Sequence, residues 1–292
     1  MLRLMAIRGK LAGTFLPKRF FWNILEERAM TQTKSKTHGF VCAILDSSRI
    51  FQRGFNSGEG GRIMPICEDL SKWTPRQYPE KKVFEGRYVR IEPLDVAKHG
   101  DELYEVSSVP DAAQRFRYMM EYEPKSREDF QPWLERAEKS VDPLYFVVID
   151  KKTGKVAGRQ TFMRIDTAFG VIEIGHIYWG PSISRTPAAT EAQFLFMTYV
   201  FEELGYRRYE WKCHSKNEKS RRAAQRFGFT FEAIFRQLKV HRGENLDCAW
   251  FACLDKDWPK LKPAYEKWLS PENFDENGSQ VKKLEELRKE FE

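Results

Sequence analysis

The chain has 292 residues, of which 41% are hydrophobic, 14% aromatic and 31% charged. That composition excludes a disordered chain and one embedded in a membrane. At about 100–200 residues per domain, one large domain with extensions is expected, and no apolar run approaches the ~18 residues that a spanning helix needs. The net charge of +7 is uneven: residues 1–65 hold eleven Lys/Arg against four Asp/Glu, which leaves 38 of each sign in 66–292. The body offers no net field for nucleic acid, so neither nucleic acid nor a membrane is an expected partner. Five scattered cysteines (Cys42, Cys67, Cys213, Cys248, Cys253), no Cys-x-x-Cys pair and five histidines argue against a zinc module and a disulfide scaffold. No metal is expected, and a reducing, cytoplasmic compartment fits best.

The basic segment 1–65 reads as a leader, either disordered or targeting. Arg3, Arg8, Lys10, Lys18 and Arg19 precede the first acid, Glu26, a pattern suited to an organelle (mitochondrial) transit peptide. A dispensable leader is the alternative, with Met64 as a candidate natural start. Residues 56–61, Asn-Ser-Gly-Glu-Gly-Gly, follow no strand and open no helix, so they read as a flexible linker and not as a phosphate loop. A linker over 66–83 then leads to a domain over 84–258.

The body begins with a strand at Tyr88–Leu94, where polar and apolar residues alternate. Asp95 can cap a helix to about Ser108 that turns Val96, Leu103, Tyr104 and Val106 inward. A second helix over Ser126–Ser140 gathers Phe130, Trp133, Leu134 and Ala137 on one face, and it tolerates Pro132 early. The strands Leu144–Ile149 and Lys155–Ile165 flank Asp-Lys-Lys-Thr-Gly, a hairpin signal. Val171–Trp179 is a further strand, followed by an apolar helix over about Thr190–Leu204 and a strand over Arg208–His214. A short helix over Asn217–Phe227 stops at Gly228, and strands at about Thr230–Val240 and Cys248–Leu254 close the body. This order predicts an α/β (α+β) fold with a mixed, mostly antiparallel sheet. Beyond Trp258 the chain reads as a charged, helical C-terminal extension, 259–292. In it Val281, Leu284, Leu287 and Phe291 form a narrow stripe on a terminal helix expected to dock on its own domain.

The chemistry concentrates where the strand ending at Trp179 turns through Gly180-Pro181 into a helix. Thr190 and Gln193 have capping-box spacing, which sets the expected helix start. Free amides at a helix start, added to the helix dipole, make an anion site. The small side chains of Ser182, Ser184, Ala188 and Ala189 let a diphosphate approach the backbone, and Arg185 can add a charge-assisted hydrogen bond. This segment resembles the acetyl-CoA-binding motif of the GNAT superfamily of N-acetyltransferases. It looks most like the branch that acetylates ribosomal-protein N-termini. Four features carry the resemblance within about residues 84–255: Glu173-Ile-Gly-His, Ala189-Thr-Glu-Ala, Asn217 with Ser220, and Arg226-Phe-Gly-Phe.

The resemblance implies helices on both faces of the sheet and a cleft for acetyl-CoA between two splayed strands. It implies cofactor contacts at Ile177, Tyr178, Trp179, Ser184, Arg185, Thr186, Ala188, Ala189, Thr190, Asn217 and Ser220. A neutral amine would attack the thioester directly, with backbone N–H groups near Ile177–Trp179 holding the oxyanion. Glu173 and His176 are the candidate bases, and Ser220 can protonate the departing thiolate. Strand alternation puts Glu173 and His176 on opposite faces unless a bulge intervenes; Glu173 is preferred. Phe116 and Tyr118, within Gln114–Glu121, fall where the superfamily builds its acceptor wall. Cys213 beside His214 reads as structural, since strand neighbours point to opposite faces. In this chain Ser184, Pro187 and Ala189 stand where the common loop has Gln/Arg, Gly and Gly/Ala. Ala224 replaces the acid tyrosine, and Lys239 occupies a position where one branch member carries glutamate. The acceptor is expected to be a peptide N-terminus, a polyamine or another small amine, and the chain a monomer or homodimer. A catalytically inactive CoA- or partner-binding module is the alternative.

Overall fold

The computed structural model describes residues 69–291, so the leader expected over 1–65 lies outside the described residues. Residues 69–83 form no helix or strand but are tied to the body by specific bonds. Arg76 Nε donates to Gly205 O at 2.8 Å, and Glu80 N donates to the Tyr199 hydroxyl at 2.9 Å.

Strands β1 (Phe84–Glu85) and β2 (Val89–Pro93) lead into α1 (Val96–Ser107), α2 (Ala112–Phe116) and α3 (Arg127–Lys139). The hairpin of β3 (Leu144–Asp150) and β4 (Lys155–Asp166) follows, then β5 (Val171–Trp179), α4 (Pro187–Thr198) and β6 (Arg208–His214). Helix α5 (Glu218–Arg226), β7 (Thr230–His241), β8 (Glu244–Leu254), α6 (Trp258–Leu269) and α7 (Leu284–Lys289) complete the order. The eight strands form one sheet in the order β1-β2-β3-β4-β5-β6-β8-β7. Among the described residues only β5 and β6 pair in parallel, and a parallel pair needs a crossover, which α4 provides. The expected mixed, mostly antiparallel α/β sheet is the observed one.

The cap of α1 forms where the sequence places it, and Ser126 caps α3. Asp95 accepts from Lys98 N at 3.0 Å and Ser126 from Asp129 N at 3.1 Å. In the β3–β4 hairpin the turn closes on Asp150 O, and Gly154 adopts φ +72°, a conformation that costs glycine little. Strand alternation divides the core. Leu144, Phe146 and Val148 pack with Ala192 and Phe196 of α4, whereas Tyr145 and Val147 pack with Leu103 of α1 and Leu134 of α3. One face of the sheet therefore belongs to α4 and α6, the other to α1 and α3.

Three expectations are corrected. Helix α4 starts at Pro187 and not at Thr190, and a π-helical turn, Tyr199–Glu203, continues it. Proline suits the first helical position because its fixed φ is already helical and its missing N–H would be unpaired there. Thr190 and Gln193 make no capping box: the Thr190 hydroxyl accepts from Arg226 Nη1 at 3.1 Å, and Gln193 is fully buried. The expected helical extension opens with α6, whose Trp258, Leu261, Tyr265 and Trp268 enter the core while its lysines stay outside. Only Leu284 and Leu287 of the terminal stripe sit buried on α7; Val281 lies outside that helix and is 66% exposed. The helix docks on its own fold, where Arg288 donates to Gln225 O at 2.8 Å.

Candidate active site

The site grows from the place where two strands part. Pairing of β5 with β6 runs only from Val171↔Arg208 to Ile174↔Trp211, although β5 continues to Trp179 and β6 to His214. Beyond Ile174 the β5 edge facing β6 opens into a cleft of about 1910 Å³. On the other edge, β5 pairs with β4 through a shift: Thr161 faces Gly175, but Arg159 faces Tyr178. The extra residue on β5 is a bulge at His176, which takes φ +46°. Positive φ is uncommon for a residue with a side chain, and a bulge re-aims side chains.

The bulge decides which candidates meet. Glu173 lies between Ile172 and Ile174 of the α4-side core, so alternation sends it to the opposite face. His176 lies on that same face, with its ring 5.5 Å from Tyr145. Both line the cleft, but their settings differ. The Glu173 carboxylate is buried and held by Arg164 at 2.6 Å and Lys212 at 2.9 Å; Lys212 also bridges to Glu210 at 2.7 Å. His176 is partly exposed, and its Nδ1 lies 3.6 Å from Glu121. Burial pushes the Glu121 carboxyl upward, but the buried Arg159 guanidinium and His176 outweigh it and hold the group below the usual carboxylate range. Arg159 in turn lies 4.1 Å over the Trp133 ring. The partnership of Glu121 and Arg159 escaped the sequence reading. Its only signal was a charged residue, Arg159, in the middle of a strand, and that strand holds other polar residues as well.

On the α4 side, the turn after β5 is tight. Ser184 N donates to Gly180 O at 3.0 Å, its hydroxyl donates to Trp179 O at 2.8 Å, and Thr186 N donates to Ile183 O at 3.2 Å. The Ser184 and Thr186 amides are therefore engaged within the turn. The Thr186 hydroxyl also turns back to Ile183 O at 2.7 Å and does not cap α4. The helix start is left with the Ala188 and Ala189 amides and no side-chain acceptor, as an anion site requires. The Ala188 methyl packs into the core, while Ala189, Thr190 and the exposed, positive-φ Arg185 line the cleft. Arg226, from α5, joins them there beside Thr190.

Asn217 opens α5, and its Oδ1 accepts from Ser220 N at 3.2 Å, which leaves its NH2 for a ligand. The Ser220 hydroxyl accepts from Trp211 Nε1 at 3.0 Å, so its own proton can point into the cleft. The Ile177, Tyr178 and Trp179 backbone borders the opening, but the Tyr178 side chain turns away and donates to Val106 O at 2.6 Å. Phe116 is a correction: it is fully buried, its ring 4.9 Å from that of Tyr178, and the cleft wall does not include it. Tyr118 does line the wall, with its hydroxyl donating to Lys216 O at 3.2 Å and its ring 5.1 Å from His214. The β7–β8 turn secures this segment, as His241 Nε2 lies 2.8 Å from Met119 O and Arg242 donates to Phe116 O at 3.0 Å. Burial pushes the Cys213 thiol up to about 11, a setting for an inert thiol and not for a nucleophile. Among the described residues, no group of three His, Cys, Asp or Glu is placed to hold a metal ion, and no helix is long and apolar enough to cross a membrane.

Parallel strands that part over an uncapped helix start give an α/β fold with a cleft that ends on an anion site. The family profile described as an acetyltransferase (GNAT) domain matches residues 89–230. A crystal structure of a GCN5-related N-acetyltransferase from Brucella melitensis is 65% identical, with a TM-score of 0.75, covering 75% of this chain and 100% of that one. A probable acetyltransferase of the GNAT family from Chromobacterium violaceum is 33% identical, with a TM-score of 0.62, over 68% of this chain and all of its own. The chain belongs to the GNAT family of acetyltransferases. An acetyl transferase from Salmonella typhimurium that modifies the N-terminal serine of ribosomal protein L7/L12 shares the fold at 17% identity and a TM-score of 0.52, over 59% of this chain and 99% of its own. No curated protein matches the chain at a significant level. The family uses acetyl-CoA as co-substrate, and the residues present fit such a group: uncapped amides and arginines for phosphates, and a carboxamide beside the opening of β5.

Proposed function

We propose that this protein transfers the acetyl group of acetyl-CoA to the nitrogen of a primary amine. The observation that carries the reading is the continuity of one cleft from the uncapped start of α4 to His176 across the parted strands. In this reading Ala188, Ala189, Arg185 and Thr190 hold the diphosphate, and the Asn217 NH2 meets the pantetheine arm. The thioester lies against the β5 amides near Ile177–Trp179. Attack forms the nitrogen–carbon bond, and the carbonyl oxygen takes negative charge beside those amides. Collapse breaks the carbon–sulfur bond. The amine proton passes to His176 and on to solvent, and the departing sulfur takes a proton from Ser220, which regains one from solvent, to give an amide and a free thiol.

An amine with pKa ~10 is mostly protonated near neutrality, so a base is needed. The settings favour His176 for that task. Glu173 is committed to two cations, whereas His176 opens onto the cleft with Glu121 to orient its ring. Calorimetry with acetyl-CoA, followed by thiol release on adding a panel of amines, tests the proposal. Binding with amine-dependent release is expected; binding without release from any amine would refute it.

A further inference from the structure

On the face of the sheet opposite α4, the cleft carries more positive charge than its own carboxylates neutralise. Glu173 is matched by Arg164 and Lys212, and Glu210 by Lys212 and Arg208 at 2.6 Å. Lys239 has no such partner: among the described residues no carboxylate lies within ion-pair distance of it. Its position follows from strand register. On β8, Leu246, Cys248 and Trp250 alternate with the core residues Ala249 and Phe251, so they face away from α4. Lys239 pairs with Leu246 and shares that face. Two extra β7 residues lie between the pairs Phe235↔Cys248 and Lys239↔Leu246, and Gln237 there has φ +51°. Its N–H is anchored to Asp247 Oδ1 at 2.7 Å. This irregularity presents the exposed Lys239 to the cleft, which Trp250 also lines with Lys212 over its ring at 3.7 Å.

The co-substrate's phosphates belong at the α4 start, on the other face of the sheet, so Lys239 faces the acceptor. An acceptor nitrogen attacks in its neutral form, so an anion that pairs with the exposed Lys239 would come from the rest of the acceptor molecule.

We infer that the acceptor is an amine bearing a carboxylate close to its reacting nitrogen, and that Lys239 pairs with that carboxylate and so sets acceptor specificity. The inference rests on the acetyl-transfer reading above. The carboxylate has two possible sources, the α-carboxylate of a free amino acid or an acidic side chain near a peptide N-terminus. The probes are matched pairs: glycine against glycinamide for the first, aspartyl against asparaginyl dipeptide amides for the second. Comparing wild type with variant on each probe cancels the different basicities of the amines.

Lys239→Met is expected to lower kcat/KM about fivefold on the anionic member of the relevant pair, the size of one exposed ion pair. The loss should appear in KM, with the neutral member and the acetyl-CoA KM unchanged. Lys239→Arg should restore the preference, and Lys239→Glu should invert it. Equal loss on both members of each pair, or no loss on either, would overturn the inference while leaving acetyl transfer standing. No transfer to any amine, with acetyl-CoA still bound, would overturn both.

Discussion

The two faces of the sheet at the β5–β6 parting hold charge in different ways. On the α4 face, the groups offered to a ligand are backbone amides, an exposed Arg185 and an Arg226 whose neighbours are a hydroxyl and aromatic rings. On the opposite face, charge is carried by side chains already matched to one another: Glu173 with Arg164 and Lys212, and Glu121 with Arg159 and His176. An amide site has its dipoles fixed by the helix and waits for an anion. A matched network has little left to offer except the groups at its margin. His176 and Lys239 are those margins, and the chemistry and the specificity are assigned to them for that reason.

That contrast can be broken by exchanging roles within the network. His176→Ala is expected to lower kcat at least about 100-fold, the contribution typical of a general base, with acetyl-CoA affinity unchanged in calorimetry. Glu121→Gln should reproduce part of that loss, because the ring loses its orienting carboxylate. Arg185→Ala probes the α4 face: the acetyl-CoA KM should rise about tenfold, as for one charge-assisted hydrogen bond, with kcat unmoved. An unchanged KM would exclude the turn as the phosphate site. Glu173→Gln should act on the fold and not on the chemistry. Removing one partner of a buried pair strands the cations, at about 2 kcal/mol here, since Lys212 keeps Glu210 and Arg164 is half exposed. A lowered melting temperature with near-normal kcat is expected; a collapse of kcat at normal stability would return the base role to Glu173.

The smallest effect lies far from the cleft. Arg90 and Lys98 outweigh burial and hold the Glu92 carboxyl down at about 2. Its folded pKa is depressed, so its stabilisation is complete above the ordinary carboxylate value and is lost as pH falls toward about 2. Glu92→Gln should therefore flatten acid unfolding between about pH 4.5 and 2, as followed by circular dichroism against wild type.

The elements legible in the sequence were those whose periodicity matched their burial. β5 and β6 were read to the residue, and Asp95 caps the helix it was expected to cap. Helix α6 was expected only as part of a charged helical extension, because Pro259, Pro263 and three lysines hide a stripe of aromatic residues. The start of α4 was misplaced because Thr190 and Gln193 imitate a capping box while Pro187 sets the first turn. The cleft-lining residues of the motif were legible because local backbone makes that half of the site. The acceptor half was not: Glu121, Arg159 and His176 meet through a bulge and a 38-residue separation, which no local pattern records. Phe116 shows the same limit, since its burial depends on Tyr178, 62 residues away.

The account stands most directly on the stoichiometry of the reaction. Thiol release and the mass of the amine product would be followed together after mixing the protein with acetyl-CoA and a carboxylate-bearing amine. One thiol for each acetylated amine, both abolished in His176→Ala, is the expected result. Thiol released without acetylated amine, or neither formed while acetyl-CoA stays bound, would contradict the account.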